Sequence, residues 1–143
     1  FVVFKHNEHQ IEHIKQLGKQ MGVDEVSIKT AQVYDFEEAH QTIPTNTRYS
    51  RYKMNAAGKF EIKNKLLNQC WRMWQGCVIT WDGKVVPCCF DKDAKHQMGS
   101  LQEQSFNQIW RSPAYTNFRK AILTGRKEID ICANCSEGSK VFD

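Results

Sequence analysis

The cysteine pattern constrains this chain more than any other feature. Residues 70–89, CWRMWQGCVITWDGKVVPCC, hold four of its six cysteines, and a C-A-N-C closes the set at Cys132 and Cys135. Asp82-Gly83 is a strong two-residue turn signal, because Gly tolerates the positive φ that a type I′ turn demands. Val78–Trp81 enters that turn and Lys84–Pro87 leaves it. A two-residue turn pairs Trp81 with Lys84, Ile79 with Val86 and Cys77 with Cys88. Period-2 alternation then sets Cys77 and Cys88 on one face and Cys89 on the other.

Clustered thiols mean different things in different compartments. The first residues read as a strand followed by a polar stretch rather than as a signal peptide, so the expected setting is a reducing cytoplasm. There, grouped cysteines hold metal more often than they form disulfides. No run of residues approaches the ~20 apolar positions of a membrane helix, so no membrane partner is expected. The net charge of +4 is spread along the chain with no basic, aromatic-interleaved stripe, which disfavours nucleic acid. A length of 143 residues suits one domain with an appendage. The first residue is Phe1, not Met, and the chain reads as a piece of a longer polypeptide.

In order along the chain, residues 1–5 read as a buried strand and Glu8–Met21 as a helix. Ile11, Ile14 and Leu17 form its apolar stripe, Asn7 is its N-cap and Gly22 its C′ residue. Glu25–Lys29 reads as a second strand, parallel to the first across a right-handed β-α-β crossover. His6, His9 and His13 belong to a solvated face, since no third ligand is placed near them. The long stretch from Tyr34 to Leu67 is polar and weakly patterned, with a turn at Ala56–Lys59; it is a linker or a substrate-facing segment. Arg48 and Arg51 within it read as solvated. Beyond the cysteine-rich hairpin, Phe90–Gln97 is charged and loop-like and Met98–Leu101 marks a turn. Ser105 caps a short helix that buries Phe106, Ile109 and Trp110. Ser112-Pro113 opens a second helix with stripe residues Tyr115, Phe118 and Ile122, stopped by Gly125. These two helices fold Cys132 and Cys135 back over the hairpin.

The residues alone leave two metal chemistries open. Structural zinc takes four ligands, commonly as two C-x2-C pairs, and here there is one such pair and no histidine at ligand spacing. Iron–sulfur clusters accept thiolates from scattered positions and suit an aromatic-lined pocket, which Trp71, Trp74, Trp81 and Trp110 could build. Thiol redox catalysis by Cys132 and Cys135 fits poorly, because no helix signal follows the pair.

Residues 70–135 resemble the SPASM or twitch auxiliary-cluster domain found at the C-terminus of radical SAM enzymes. The resemblance is carried by Cys70, the hairpin VITWDGKVVPC, then MGSL, SFNQIW and the terminal C-A-N-C. The spacing Cys70-x17-Cys88-x43-Cys132-x2-Cys135 is similar to that of the abbreviated twitch type, which holds one auxiliary [4Fe-4S] cluster. The resemblance therefore implies Cys70, Cys88, Cys132 and Cys135 as cofactor ligands, with Cys77 and Cys89 as runners-up. Longer SPASM domains use an early pair resembling Cys70 and Cys77, so the place of Cys77 stays contested.

The implied fold is α+β. Residues 1–34 would be the β-α-β edge of a radical SAM partial barrel, 35–67 a bridging segment, and 68–143 a hairpin-plus-helices cluster domain. The implied role is the C-terminal part of a radical SAM oxidoreductase, or of a peptide- or small-molecule-modifying enzyme. Its auxiliary cluster would relay electrons or position substrate, and its partners would be the rest of the barrel and that substrate. No catalytic residue is assigned. The C-x3-C-x2-C that binds S-adenosylmethionine through a second [4Fe-4S] cluster is absent, so these residues by themselves are expected to be inactive. The alternative is a zinc-stabilised, non-catalytic interaction module.

Overall fold

The computed structural model describes residues 1–34, 36, 37 and 39–137. It divides into two compact units, Phe1–Lys65 and one that begins at Leu66. Helices and short strands are mixed throughout. Among the described residues no helix is long and apolar enough to cross a membrane.

In the first unit, β1 (Val2–Val3) pairs in parallel with β2 (Lys29–Thr30), with Val2 opposite Lys29. Helix α1 (Ile11–Gln20) crosses between them after a single 3-10 turn at Glu8–Gln10. The β-α-β unit is thus present, with two local corrections. Asn7 does not cap the helix; its Oδ1 accepts from Phe4 N and its Nδ2 donates to Val2 O, which folds it back onto β1. The second strand begins at Lys29, where the expected one ends. Gly18 explains why, because a Cβ there would lie 2.2 Å from Val26 Cγ2. Val26 is committed to the helix at that glycine, and its segment stays off the sheet. Gly22 does take the left-handed conformation, φ +68, at the helix end.

The stretch expected as a weakly patterned bridge carries structure of its own. Helix α2 (Ala39–Thr42) and a hairpin of β3 (Tyr52–Met54) and β4 (Phe60–Ile62) surround a core of Val33, Ala39, Ile43 and Tyr52. The Tyr52 hydroxyl accepts from Val33 N at 3.1 Å. At the hairpin tip, Asn55 Oδ1 accepts from Ala57 N and Lys59 N, and Gly58 has φ +73. This is the turn that the Ala-Ala-Gly-Lys sequence predicts.

The second unit centres on a three-stranded antiparallel sheet, β5 (Val78–Ile79), β6 (Lys84–Val86) and β7 (Gly99–Ser100), in the order β5-β6-β7. Met98–Leu101 is therefore not a turn alone. Its middle two residues are the third strand, which Met98 N fixes from one side by donating to Val85 O at 2.7 Å. Gly99 is required there, since a Cβ would lie 2.8 Å from Ile109 Cγ1. The hairpin register also differs by one residue from the two-residue turn. Val78 opposes Val86 and Ile79 opposes Val85. Thr80 closes the loop instead, donating its N–H to Lys84 O at 2.9 Å and accepting Lys84 N on its Oγ1 at 3.1 Å. Trp81-Asp82-Gly83 becomes a three-residue loop with Gly83 at φ +80, the arrangement of a type I turn closed by a left-handed glycine. A one-residue slip exchanges the faces of a strand. Cys77 thus does not pair with Cys88.

Helices α4 (Phe106–Trp110) and α5 (Pro113–Gly125) start as their sequences predict. Ser105 and Gln108 form a reciprocal capping box, and Ser112 Oγ accepts from Tyr115 N with Pro113 at the first helical position. Met73, Val85, Met98, Ile109, Tyr115 and Ile122 make one buried core. Phe106 departs from expectation, being exposed and stacked on Trp110 at 5.7 Å. Arg119 holds the short helix α3 (Arg72–Gln75) against α5. Its Nε donates to Met73 O, while its guanidinium lies over the Trp110 and Tyr115 rings at 4.4 and 4.6 Å.

Candidate metal centre

All six cysteines of the second unit are free thiols, delivered by several local devices. Cys70 lies two residues before α3, and Met73 N, in the helix's first turn, donates to Cys70 O. Cys77 follows α3 and packs against the core with Cys70. The buried Tyr115 hydroxyl lies against Cys77 without a hydrogen bond of sound geometry. Burial first, and charge on Cys77 second, push that phenol above the usual tyrosine range.

Cys88 and Cys89 leave β6 after the fully buried Pro87. The loop that follows is not simply solvated. Asp91 is 3 % exposed, and its two carboxylate oxygens accept from Lys95 N at 2.8 Å and His96 N at 2.9 Å. The loop is thereby wound tightly enough to hold Ala94 at φ 52. His96 Nε2 then meets Asp130 Oδ1 at 2.6 Å, which ties the loop to helix α6 (Asp130–Ala133). Cys132 sits in α6, and the chain turns back at once, with Cys135 N donating to Cys132 O.

Four of these thiols act on one another. Burial pushes Cys132 up to about 12, and charge on Cys135, Cys88 and Cys70 adds to the rise. Burial likewise pushes Cys88 up to about 11; backbone N–H groups of Phe90 and Asp91 oppose it, and charge on Cys135 and Cys89 reinforces it. Cys70, Cys88, Cys132 and Cys135 therefore share one electrostatic neighbourhood. Cys77 faces Tyr115, and Cys89 is exposed. Cys77, Cys88 and Cys89 also line an open pocket of about 290 Å³ with Arg72 and Glu137, which form an ion pair at 3.2 Å.

One residue that the sequence reading did not single out lies inside this neighbourhood. Arg126 is 1 % exposed. Its Nη1 donates to Gln69 O at 2.5 Å, and its Nη2 reaches Glu137 O at 2.9 Å, Cys135 O at 3.4 Å and Cys135 Sγ at 3.6 Å. Its backbone N–H donates to Asn68 Oδ1. Among the described residues no carboxylate pairs with the guanidinium, and its Nε is buried without a partner. A buried cation in this state is costly unless an anion compensates it. The donor set on offer is entirely sulfur, and Cys135 Sγ accepts a further backbone N–H from Glu137 at 3.4 Å. Thiolates gathered around a metal group would supply the missing negative charge. The residues present thus fit a thiolate-held centre. Among the described residues no three His, Cys, Asp or Glu side chains converge on one point that a single ion could fill.

The four tryptophans divide differently from the expected common pocket. Trp71 and Trp74 line an apolar groove of about 550 Å³ beside Cys70, with Leu123 opposite. Trp110 lies under Arg119. Trp81, at the hairpin tip, is 98 % exposed. Ser136, read as the start of a polar tail, is buried, while residues 138–143 of the expected cluster domain lie outside the described residues.

Residues 70–136 match the SPASM family, an iron–sulfur cluster-binding domain. The chain is 40 % identical over 63 residues to an S-adenosyl-L-methionine-dependent 2-deoxy-scyllo-inosamine dehydrogenase of Niallia circulans, a match covering 43 % of this chain and 25 % of that protein. It is 35 % identical over 72 residues to a tungsten-containing aldehyde ferredoxin oxidoreductase cofactor-modifying protein of Pyrococcus furiosus, covering 41 % of this chain and 20 % of that protein. The matches thus span a quarter or less of these relatives' lengths. A crystal structure of selenomethionine BtrN in an open conformation superposes with a TM-score of 0.46 at 21 % identity, over 98 % of this chain and 58 % of that one.

Proposed function

From the premise that residues 70–136 are a SPASM iron–sulfur cluster-binding domain, we propose that the chain is the C-terminal part of a radical SAM enzyme. It binds one auxiliary [4Fe-4S] cluster through Cys70, Cys88, Cys132 and Cys135. What supports the ligand choice is that the buried Cys132 lies within the field of Cys135, Cys88 and Cys70, whose charge adds to the rise that burial gives its thiol. When bound, such a cluster supplies a one-electron acceptor or donor whose potential follows its burial and the hydrogen bonds to its sulfurs. Glu137 N and Arg126 Nη2 direct N–H groups at Cys135 Sγ, and the backbone after Cys88 does the same for that sulfur. Asp91 holds the Cys88 loop in shape, and the His96–Asp130 contact ties it to the turn bearing Cys132.

The parallel β1-α1-β2 unit would form the edge of a radical SAM barrel. The structured stretch after it, residues 35–67, is the candidate bridge to the cluster domain. The two curated relatives are named for S-adenosylmethionine-dependent dehydrogenation and for cofactor modification, and both support an oxidoreductase or small-molecule-modifying parent. S-adenosylmethionine and its own cluster would be held by a C-x3-C-x2-C that these 143 residues do not contain.

Anaerobic reconstitution of the chain with iron and sulfide tests the reading. The expected result is about four irons and four sulfides per chain with the broad visible absorbance of a cubane cluster. One tightly held zinc, no colour and no sulfide would contradict it and favour the zinc-stabilised module.

A further inference from the structure

We infer that Arg126 is the resident counter-charge of the cluster, a positioning residue that clasps the Cys70 and Cys135 arms together and raises the cluster's reduction potential. The inference rests on the reading above that these thiolates hold a [4Fe-4S] group.

Arg126 bonds the carbonyl of Gln69, the residue before Cys70, and also the carbonyls of Cys135 and Glu137. One planar guanidinium thus joins two arms that are 57 and 9 residues from it in sequence. Its backbone N–H adds a bond to the Asn68 side chain, on the Cys70 arm. A lysine offers a point charge with no rigid fork and could not span these acceptors in the same way.

Arg126 is fully buried, touches carbonyls and one sulfur, and keeps an unpartnered Nε. Carbonyl dipoles satisfy N–H groups but do not neutralise a full positive charge removed from water. Four thiolates and a [4Fe-4S] core sum to a dianion, and one-electron reduction makes it a trianion without forming or breaking a bond. A fixed cation at 3.6 Å from one ligand sulfur stabilises the reduced state more than the oxidised one. The same contact also adds an N–H···S interaction, which shifts potential in the same direction. A purely structural clamp would account for the carbonyl contacts but not for the buried charge beside a ligand sulfur.

Potentiometric titration of the reconstituted chain, followed by the low-temperature paramagnetic signal of the reduced cluster, separates the two roles. Arg126→Met is expected to shift the reduction equilibrium at least tenfold toward the oxidised form, which is 59 mV for one electron. Arg126→Lys, which keeps the charge, is expected to recover most of that shift at equal iron content. Equal potentials in wild type and Arg126→Met at equal iron content would overturn the inference. If Arg126→Met retains no iron, the wild-type chain labelled with ¹⁵N-arginine decides. A ¹⁵N hyperfine coupling in the reduced cluster, lost in Arg126→Lys, supports the contact, and its absence in wild type overturns it. Failure of the wild-type chain to take up any iron and sulfide would instead overturn the cluster reading, and the inference with it.

Discussion

His96 Nε2 lies 2.6 Å from Asp130 Oδ1, and this contact joins the loop after Cys88-Cys89 to the helical turn that carries Cys132. The hydrogen bond from His96 holds the Asp130 carboxyl below the usual carboxylate range. A carboxyl depressed by folding contributes stability above its unfolded range near 4, and loses it as pH falls through its lower folded value. Both side chains are partly solvated, so the contact is worth about 0.2–1 kcal/mol. His96→Ala is therefore expected to cost no more than that in urea unfolding at pH 7, and the difference from wild type should vanish at pH 2. A loss of several kcal/mol would mean that the loop folds around His96 rather than around Asp91.

Asp82 provides a second acid-sensitive point. Its carboxyl is held at about 2 by the hydrogen bond from Lys84 and then by Thr80. The hairpin tip should keep its bonds unchanged down to pH 4 and loosen only as pH falls toward 2. Carboxyl chemical shifts of Asp82 across that range check the midpoint. Gly83→Ala, at φ +80, should cost about 1–2 kcal/mol from backbone strain alone, since the nearest atom to a new Cβ is a comfortable 3.6 Å away.

Gly99 is constrained by space rather than by backbone angle. Gly99→Ala drives a methyl against Ile109 Cγ1 at 2.8 Å and Gln104 Oε1 at 3.0 Å. Overpacking of this kind typically costs about 1–3 kcal/mol. Ile109→Ala, which empties a completely buried position, should cost about 2–5 kcal/mol. Thermal unfolding of the metal-free chain would rank them, and the account expects Ile109→Ala to be the worse of the two.

The raised thiols set the pH behaviour of the metal-free chain. With Cys88 at about 11 and Cys132 at about 12, the folded form holds protons that the unfolded chain releases near 8.5. That contribution is complete below pH 8 and is lost as pH rises through 11 to 12, so the metal-free fold should weaken in alkali. Loading a cluster must release these protons, so uptake should become more favourable from pH 7 to pH 9. Alkylation at pH 7.5 followed by peptide mapping should label exposed Cys89 before Cys88 and Cys132. Equal labelling of all three would contradict the burial on which the site depends.

What the sequence disclosed was local. The caps at Ser105 and Ser112 follow from hydroxyls bonding neighbouring backbone, and the left-handed Gly22 and Gly83 from their missing Cβ, so a linear reading finds them. The register of the hairpin failed by one residue because the Thr80 hydroxyl, not the Asp82-Gly83 pair alone, closes the loop. Strand β7 was missed because its pairing with β6 is made at a distance and leaves no period-2 signal in two residues. Helical spacing predicts a buried Phe106 and aromatic type a pocket-lining Trp81, and both are exposed. Arg126 was invisible for the opposite reason. A lone arginine after a helix-ending glycine reads as surface charge, and only the fold reveals that carbonyls and thiols enclose it.

The central claim is the identity of the ligands, and iron content across the six single Cys→Ser variants tests it most directly. After anaerobic reconstitution, Cys70→Ser, Cys88→Ser, Cys132→Ser and Cys135→Ser should lose iron and sulfide or the cubane signature, while Cys77→Ser and Cys89→Ser keep wild-type stoichiometry. Loss in Cys77→Ser together with retention in Cys135→Ser would contradict the account.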